Sequence, residues 1–215
     1  VGEYKYPTVN GDIVCQYARN GSSGNYYIVT NGSTVTVGNI DLPVKAKGVE
    51  VSGEVKSYNP NNATTIQLYE AGHAGEEEYK KYETTIAAAT GSGQVPQGFT
   101  FNVVAPGTYD LVVTKAAHLT YTIKNVVVGD TPLDLRWNSN DAISTITLLA
   151  GDVNGDGSIN NSDMIVFRSQ FGKTGSNITN KNADINGDGY VNNGDLLIFR
   201  SFFGKTTAIC TFDYK

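Results

Sequence analysis

The chain has 215 residues, of which 40% are hydrophobic, and a formal net charge of −5. This length accommodates one or two domains with packed cores, and no apolar run of about 18 residues is present to form a membrane-spanning helix. The acidic balance argues against nucleic acid as a partner. Residues 1–12 lack the basic and apolar pattern of a signal peptide, so we expect a mature chain or a piece excised from a longer one.

The first part of the chain, residues 1–149, has the pattern of short β-strands. Runs such as VEVSGEVKSY (49–58) and TTIQLYEAG (64–72) are rich in β-branched and aromatic residues and are bounded by Gly, Pro and Asn, as half-buried strands are. Seven or more such strands indicate an antiparallel sandwich. Further strands are predicted within 78–89, 98–130, 133–137 and 143–149. Residues 1–47 are also β-rich, and they either extend the sandwich or form a separate segment.

The stretch DVNGDGSINNSD (152–163) returns 32 residues later as DINGDGYVNNGD (184–195). Both copies place oxygen-bearing side chains at positions 1, 3, 5, 9 and 12, with a glycine at position 6, as a calcium loop requires. Three carboxylates in one loop repel one another without a cation, so we expect two structural calcium ions coupled to folding. The predicted ligands are Asp152, Asn154, Asp156, the Ser158 carbonyl, Asn160 and Asp163, then Asp184, Asn186, Asp188, the Tyr190 carbonyl, Asn192 and Asp195.

Two details distinguish these loops from the common EF-hand. Position 12 is aspartate instead of glutamate, so the following helix must come closer to the ion, and a strand and linker precede the first loop in place of a helix. At position 8, Ile159 and Val191 are predicted to pair as a short β-bridge between the loops.

Each loop leads into a short helical pattern, SDMIVFRSQFGK (162–173) or GDLLIFRSFFGK (194–205). Apolar side chains at i, i+3 and i+7 share one helix face, and a glycine suited to a left-handed cap ends each pattern. Helices of this length are marginal alone, so we expect the two to bury one core. The predicted core residues are Met164, Phe167, Phe171, Leu196, Phe199 and Phe203, and the predicted caps are Gly172 and Gly204.

The opposite helix face is also repeated, although calcium ligation does not require it. Hydroxyls, aliphatic groups and a cation share that face, a mixture typical of a protein-binding surface. The residues of this face are Ser162, Ile165 or Val166, Ser169 and Lys173 in the first copy, and Gly194, Leu197 or Ile198, Ser201 and Lys205 in the second.

On these motifs, residues 150–206 resemble a dockerin, and VSGEV followed by PGTYDLVVTKAAHLTYTIKNVVV, within residues 48–149, resembles the transthyretin-like or carboxypeptidase-regulatory-like X module that precedes some dockerins. The resemblance implies an X module–dockerin dyad of a cellulosome, with an all-β domain over 1–149 and a small all-α dockerin and tail over 150–215. It also implies calcium-dependent binding to a cohesin of a scaffoldin or cell-surface anchor in extracellular polysaccharide degradation, with the β module stabilising the dockerin. The partner-reading positions it implies are Asn161, Ser162, Arg168, Ser169 and Lys173, then Asn193, Gly194, Arg200, Ser201 and Lys205.

Other functions have weaker support in the sequence. We expect no enzyme, because no nucleophile elbow, P-loop or zinc motif is present and the two histidines, His73 and His118, have no catalytic context. Carbohydrate binding by the β module is the alternative, and a flat row of three exposed aromatic side chains would support it. A calcium sensor needs a Met-rich groove, and the chain has one methionine.

Cys15 and Cys210 are too few for a disulfide scaffold. They are either two free thiols or one long-range bridge, and the second possibility requires the C-terminal tail to return to the β module. Outside the cohesin complex we expect a monomer.

Overall fold

The computed structural model describes residues 48–214 with their side chains, and the backbone of four strands before them. Those strands are β1 (Gly2–Lys5), β2 (Val14–Asn20), β3 (Ser23–Thr30) and β4 (Ser33–Thr36). They form an antiparallel meander in chain order. The chain divides into two compact units, Val1–Lys45 and Ala46–Lys215, and the first unit contains this meander.

The second unit begins with the β domain, which confirms the β-rich reading of this part of the chain. Its strands are β5 (Val49–Tyr58), β6 (Thr64–Glu70), β7 (Lys80–Ile86), β8 (Gln94–Val104), β9 (Gly107–Lys115), β10 (Tyr121–Val128), β11 (Leu133–Asp134) and β12 (Ile146–Thr147). One sheet has the order β10-β9-β6-β7, and in the other β5 pairs with β8 on one side and with β11 and β12 on the other. The predicted domain boundary between residues 149 and 150 stays a prediction.

The two sheets share one hydrophobic core. Alternate residues of β5, such as Val51 and Val55, are buried together with Ile66 of β6 and Leu111 of β9. This alternation is the reason that the segment forms a strand, because successive side chains of a strand point to opposite faces of the sheet.

Two predicted strands are much shorter in the structure. Only Leu133–Asp134 and Ile146–Thr147 are strands, and both pair parallel to β5, whereas an antiparallel fold was predicted. The rest of 133–137 is a 3₁₀ turn over Leu135–Trp137, and a short helix α1 (Asp141–Ser144) precedes β12. Local hydrogen bonds explain the difference, because the side chains of Asp134 and Asn140 accept backbone N–H groups and start these turns.

After residue 150 the secondary structure becomes helical. Helix α2 spans Asn161–Gln170 and helix α3 spans Asn193–Phe202, with 3₁₀ turns at Gly175–Asn177, Lys181–Ala183 and Thr207–Cys210. None of the described helices is long and apolar enough to cross a membrane.

The two helices meet through two phenylalanines. Phe167 and Phe199 are buried and stacked, with ring centroids 6.1 Å apart. The predicted third member of each stripe is wrong, because Phe171 and Phe203 lie beyond the helix ends and are each 46% exposed. The helices end there because the two phenylalanines are extended, and the glycine that follows each adopts a positive φ.

The C-terminal tail returns to the β domain. Strand β13 (Thr211–Asp213) pairs parallel to β10 at the edge of its sheet. The Phe212 ring stacks on Tyr121 with centroids 5.1 Å apart, and the Tyr214 N–H donates to the Lys124 carbonyl at 2.8 Å.

The tail also places Cys210 in a buried position, where burial raises the pKa of its thiol. Cys15 lies outside the residues whose side chains the structure describes. The proposed bridge between these two cysteines therefore stays a prediction.

A lysine and a histidine are buried where the β domain meets the helical part. Lys115 is 7% exposed, and its Nζ donates to Ser57 Oγ at 3.1 Å. His118 Nε2 accepts the Tyr58 N–H at 3.2 Å. The Leu119 N–H donates to the Leu149 carbonyl at 2.9 Å, just before the first loop. Burial lowers the pKa of Lys115 to about 8 and that of His118 to about 4.

The lowered pKa of Lys115 gives a pH-dependent test. Below pH 8 the ammonium is buried, and none of the described carboxylates pairs with it, so replacing it in Lys115→Met should raise the free energy of unfolding by roughly 1–3 kcal/mol at pH 7. Between pH 8 and 10.5 the unfolded lysine keeps a proton that the folded one has released, so the stability of the original chain rises in this window. The gain from Lys115→Met should therefore shrink as the pH rises.

Urea unfolding of both proteins at several pH values between 6.5 and 10.5 measures this difference. Both proteins contain the same tyrosines, so the effect of tyrosine ionisation on stability cancels when the two are compared. A difference that stays constant over the whole range would show that Lys115 is fully charged in the fold.

Candidate metal centre and interaction surface

The first residue of each loop organises the turn around its own carboxylate. Asp152 accepts the N–H groups of Gly155, Asp156 and Gly157 at 2.8–3.0 Å. Asp184 accepts the equivalent N–H groups in the second loop at 2.9–3.1 Å. The glycines at positions 4 and 6 have positive φ in both loops, which lets the backbone curl around the carboxylate.

The last residue of each loop joins the loop to its helix. Asp163 accepts the N–H of Asn154 at 3.0 Å and that of Asn160 at 2.9 Å, and Asp195 repeats both contacts at the same distances. Asp163 and Asp195 are also the third helical residues of a capping box. The shorter aspartate at position 12 therefore both caps the helix and fastens the start of the loop to it.

The carboxylates at positions 1, 5 and 12 converge in the first loop. In the first loop, oxygen atoms of Asp152, Asp156 and Asp163 lie within 4.8 Å of one another. Burial raises the pKa of the Asp152, Asp184 and Asp195 carboxyls, and the neighbouring loop carboxylates add to this rise. A hard divalent cation that takes oxygen ligands would offset both the burial of these carboxylates and their mutual repulsion, so this donor set fits Ca²⁺.

The asparagine side chains of the loops already have local partners. Asn154 donates to Asp156 Oδ2 at 2.8 Å, and Asn186 donates to Asp188 Oδ2 at 3.0 Å. Asn160 and Asn192 are the N-caps of α2 and α3. The positions that we predicted as ligands through a carbonyl, Ser158 and Tyr190, form isolated β-bridges with Thr206 and Thr174.

The predicted bridge between Ile159 and Val191 is wrong. The Ile159 N–H and carbonyl pair with Lys205 and Gly204, both at 2.8 Å. The Val191 N–H and carbonyl pair with Lys173 and Gly172 at 3.0 and 2.8 Å. Each loop therefore pairs with the chain leaving the other repeat's helix, because that chain lies extended just after the helix end.

The outer helix face presents most of the predicted partner residues to solvent. Ile165 is 71% exposed and Leu197 is 65% exposed, whereas Val166 and Ile198 pack partly against the core. The helical spacing allowed either Ile165 or Val166, and either Leu197 or Ile198, on this face. Their exposure places Ile165 and Leu197 there. Asn161, Ser162, Arg168, Ser169, Asn193, Arg200, Ser201 and Lys205 are exposed, and Lys173 and Gly194 are half-buried.

Sequence reasoning missed Gln170, which is 5% exposed at the end of α2. Its Oε1 accepts the N–H and hydroxyl of Thr179, both at 3.0 Å, and the Lys173 ammonium at 3.2 Å. Its Nε2 donates to Ser169 Oγ at 2.9 Å. The sequence did hold a signal, because FRSQFGK and FRSFFGK differ only at this position, where the second copy has Phe202.

A second missed contact joins the β domain to the second loop. Asn59 Nδ2 donates to the Asp184 carbonyl at 2.9 Å, and Asn61 Nδ2 donates to the Gly187 carbonyl at 2.8 Å. The Gly93 N–H donates to the Asn186 carbonyl at 2.7 Å. No local sequence motif signals these contacts, because the partners are more than 90 residues apart in the chain.

Comparisons with known proteins agree with this architecture. Residues 150–203 match the family described as the dockerin type I domain. One similar solved structure is an N-terminal interface mutant of a type II cohesin–X-dockerin complex from Acetivibrio cellulolyticus, with 25% identity over 75% of this chain and 99% of that chain and a TM-score of 0.55.

A C-terminal interface mutant of the same kind of complex, also from Acetivibrio cellulolyticus, has 24% identity, the same coverage and a TM-score of 0.56. The comparison with curated proteins finds no match. The predicted arrangement of an X module followed by a dockerin is confirmed by the family match and by these structures.

The glycines at position 4 of the two loops form a matched pair for mutation. Both have a positive φ, but a Cβ on Gly187 would lie 2.5 Å from Asn59 Oδ1, whereas one on Gly155 would meet no atom of the described residues within 4 Å. Gly155→Ala therefore carries the backbone cost alone, and Gly187→Ala adds a steric clash. We expect Gly187→Ala to be more destabilising by roughly 1–3 kcal/mol.

Thermal or urea unfolding of the two variants under the same conditions measures this difference. Equal losses of stability would show that the β domain does not hold the second loop at this distance in solution.

Proposed function

We propose that this chain, in which a dockerin follows an X-module-like β domain, is a calcium-dependent module that binds a cohesin and anchors a scaffoldin or enzyme in an extracellular cellulosome. The observation that carries the proposal is the pair of helix faces, each with one highly exposed aliphatic residue beside arginine and serine. These faces sit directly after two loops whose donor sets fit calcium. The proposed role is that of an interaction module without catalysis.

The proposed calcium ions are structural, and their ligands come from both loops. Asp152, Asp163, Asp184 and Asp195 are each at most 9% exposed, and in the first loop oxygens of Asp152, Asp156 and Asp163 lie within 4.8 Å of one another. Without a cation these carboxylates repel one another, so the loops and the helices that follow them depend on the ion. The proposed full ligand set is the one predicted from the sequence.

The type of cohesin is open to a direct experiment. The matched family is a type I dockerin, whereas the similar structures are type II complexes. A pull-down of the full chain against panels of type I and type II cohesins, with calcium or with EDTA, distinguishes the two. Capture of no cohesin in calcium, or undiminished capture in EDTA, would overturn the proposal.

Carbohydrate binding by the β domain has no support from the described residues. Trp137 is 88% exposed, but among the large hydrophobic side chains that are exposed in residues 48–149, the others are Val103 and Val127. A row of three aromatic groups is therefore not present on this part of the surface, and we propose no second function.

Calcium dependence is tested by removing one charge from each loop. Asp152→Asn and Asp184→Asn keep the oxygen that accepts the N–H groups of positions 4 and 5, but they lose a negative charge and the acceptor for the N–H of position 6. Each should therefore weaken calcium binding and abolish cohesin binding at limiting calcium. Asp130→Asn, at an exposed aspartate outside the loops, is the matched control. Isothermal titration with calcium and then with cohesin measures both effects.

Chelation should also affect the β domain. Leu148, Val153 and Ile159 belong to one continuous core, so we expect EDTA to lower the melting temperature of the whole unit from residue 46 onward.

For the two charge variants, Asp152→Asn and Asp184→Asn, unchanged calcium uptake by both would contradict the assigned ligands.

The repeated helix faces predict two orientations on one cohesin. Ile165→Asp or Leu197→Asp alone should weaken binding incompletely, because the other face remains, and the double variant should abolish it. We expect Ile165→Asp to cost more, since Ser162 offers a hydroxyl where Gly194 offers none, a difference of about 0.5–1.5 kcal/mol. Titration of cohesin into each variant tests this, and complete loss in one single variant would show a single orientation.

A further inference from the structure

The β domain holds one of the two calcium loops by its backbone. The carbonyls at positions 1, 3 and 4 of the second loop accept hydrogen bonds from Asn59, Gly93 and Asn61 at 2.7–2.9 Å. We call Asn59, Asn61 and Gly93 the asparagine clamp. Asn59 is 7% exposed and Asp184 is 9% exposed, so the first of these bonds is shielded from water.

The residues of the clamp are also hydrogen-bonded to one another and to neighbouring residues of the β domain. The Asn59 N–H donates to the Gly93 carbonyl at 3.0 Å, and Asn61 exchanges two hydrogen bonds with the backbone of Gly91 at 2.9 and 3.3 Å. The Ala89 N–H donates to the Pro60 carbonyl at 2.8 Å. The two β-domain turns are therefore joined to each other by hydrogen bonds that do not involve the loop.

The packing between the clamp and the loop is tight enough to require a glycine. The position of a Cβ on Gly187 lies 2.5 Å from Asn59 Oδ1 and 2.8 Å from Asn61 Nδ2. Within residues 48–214, Asn59 Oδ1 has no hydrogen-bond partner, and this atom faces the loop at Gly187.

The first loop has no such support. Within the part of the chain that the structure describes, no hydrogen bond joins residues 59–93 to residues 152–163, and no atom lies near the Cβ position of Gly155. Its Val153 carbonyl accepts Asn182 Nδ2 at 3.1 Å, a contact from within the dockerin. The two loops therefore have the same internal hydrogen bonds but different surroundings.

We propose that Asn59 and Asn61 are positioning residues for the second calcium loop alone, so that the two calcium sites have unequal affinities and the second is coupled to the β domain. The inference rests on the proposed function, because it assumes that both loops bind calcium. The clamp holds the loop backbone at positions 1, 3 and 4 before the ion arrives, which lowers the ordering cost of binding. The coupling is reciprocal, so calcium at the second loop must also tighten the clamp.

The second loop carries its own spectroscopic probe. Tyr190 occupies position 7, where the first loop has Ser158, so terbium in the second loop receives energy from an adjacent tyrosine. Terbium titration of the full chain, with excitation of tyrosine and back-titration with calcium, reports the second site. Tyr190→Phe should remove most of the signal and thereby identifies its source.

The clamp variants are Asn61→Ala, at an exposed position, and the double variant with Asn59→Ala. We expect the double variant to weaken calcium binding at the second site about tenfold, which corresponds to about 1.4 kcal/mol, and to leave the first site within about twofold. Asn62→Ala, in the same turn, is the matched control, because the described hydrogen bonds include none from its side chain to the loop. Isothermal titration gives the affinity of the first site.

Equal affinity of the second site in the original chain and in Asn61→Ala and the double variant would overturn the inference and leave the proposed function intact. A chain that takes up neither calcium nor terbium would overturn both. Hydrogen exchange supplies a test without mutation, in case the double variant fails to fold. Calcium should slow exchange of the Gly93 N–H at least severalfold, and an unchanged rate with calcium bound at both sites would overturn the inference.

Discussion

The gathering of like charges in two small loops is the constraint on which the helical half depends. Three carboxylates converge in the first loop, and Asp163 and Asp195 are completely buried. Backbone N–H groups donate hydrogen bonds to these carboxylates. The dipoles of these N–H groups stabilise the negative charges but do not neutralise them. On the proposed function, a bound cation balances the charge that these buried carboxylates bring into residues 150–214.

The reciprocal pairing of the repeats spreads this constraint over both loops. Ile159 is bonded to the chain that leaves α3, and Val191 is bonded to the chain that leaves α2. The final hydrogen bonds of each loop therefore require the end of the opposite helix, and the stacking of Phe167 on Phe199 requires both helices. On these contacts we expect the two repeats to fold as one unit, although each has a complete set of proposed ligands.

Much of the site could be predicted from the sequence because its determinants are local. The loop spacing, the glycines with positive φ and the capping aspartates all lie within twelve consecutive residues. The β-rich character of the first half followed from alternation along single strands. What could not be predicted depended on distant partners: the parallel pairing of β11 and β12 with β5, the exchange between Ile159 and Lys205, and the contact of Asn59 with Asp184. The extent of the helices was also misjudged, because the apolar spacing continues through Phe171 while the backbone has already left the helix.

The position of β13 has a consequence for the behaviour of the protein at high concentration. An edge strand displays unpaired backbone groups, which invite pairing with another chain. In the described fold the last residues of the chain cover the β10 edge, and the Phe212 ring shields Tyr121 beside it. The covering strand follows the helical part in the chain, so on the proposed function the calcium loops and this sheet edge are linked. If loss of calcium released the tail, the β10 edge would be exposed and the protein would become more prone to self-association.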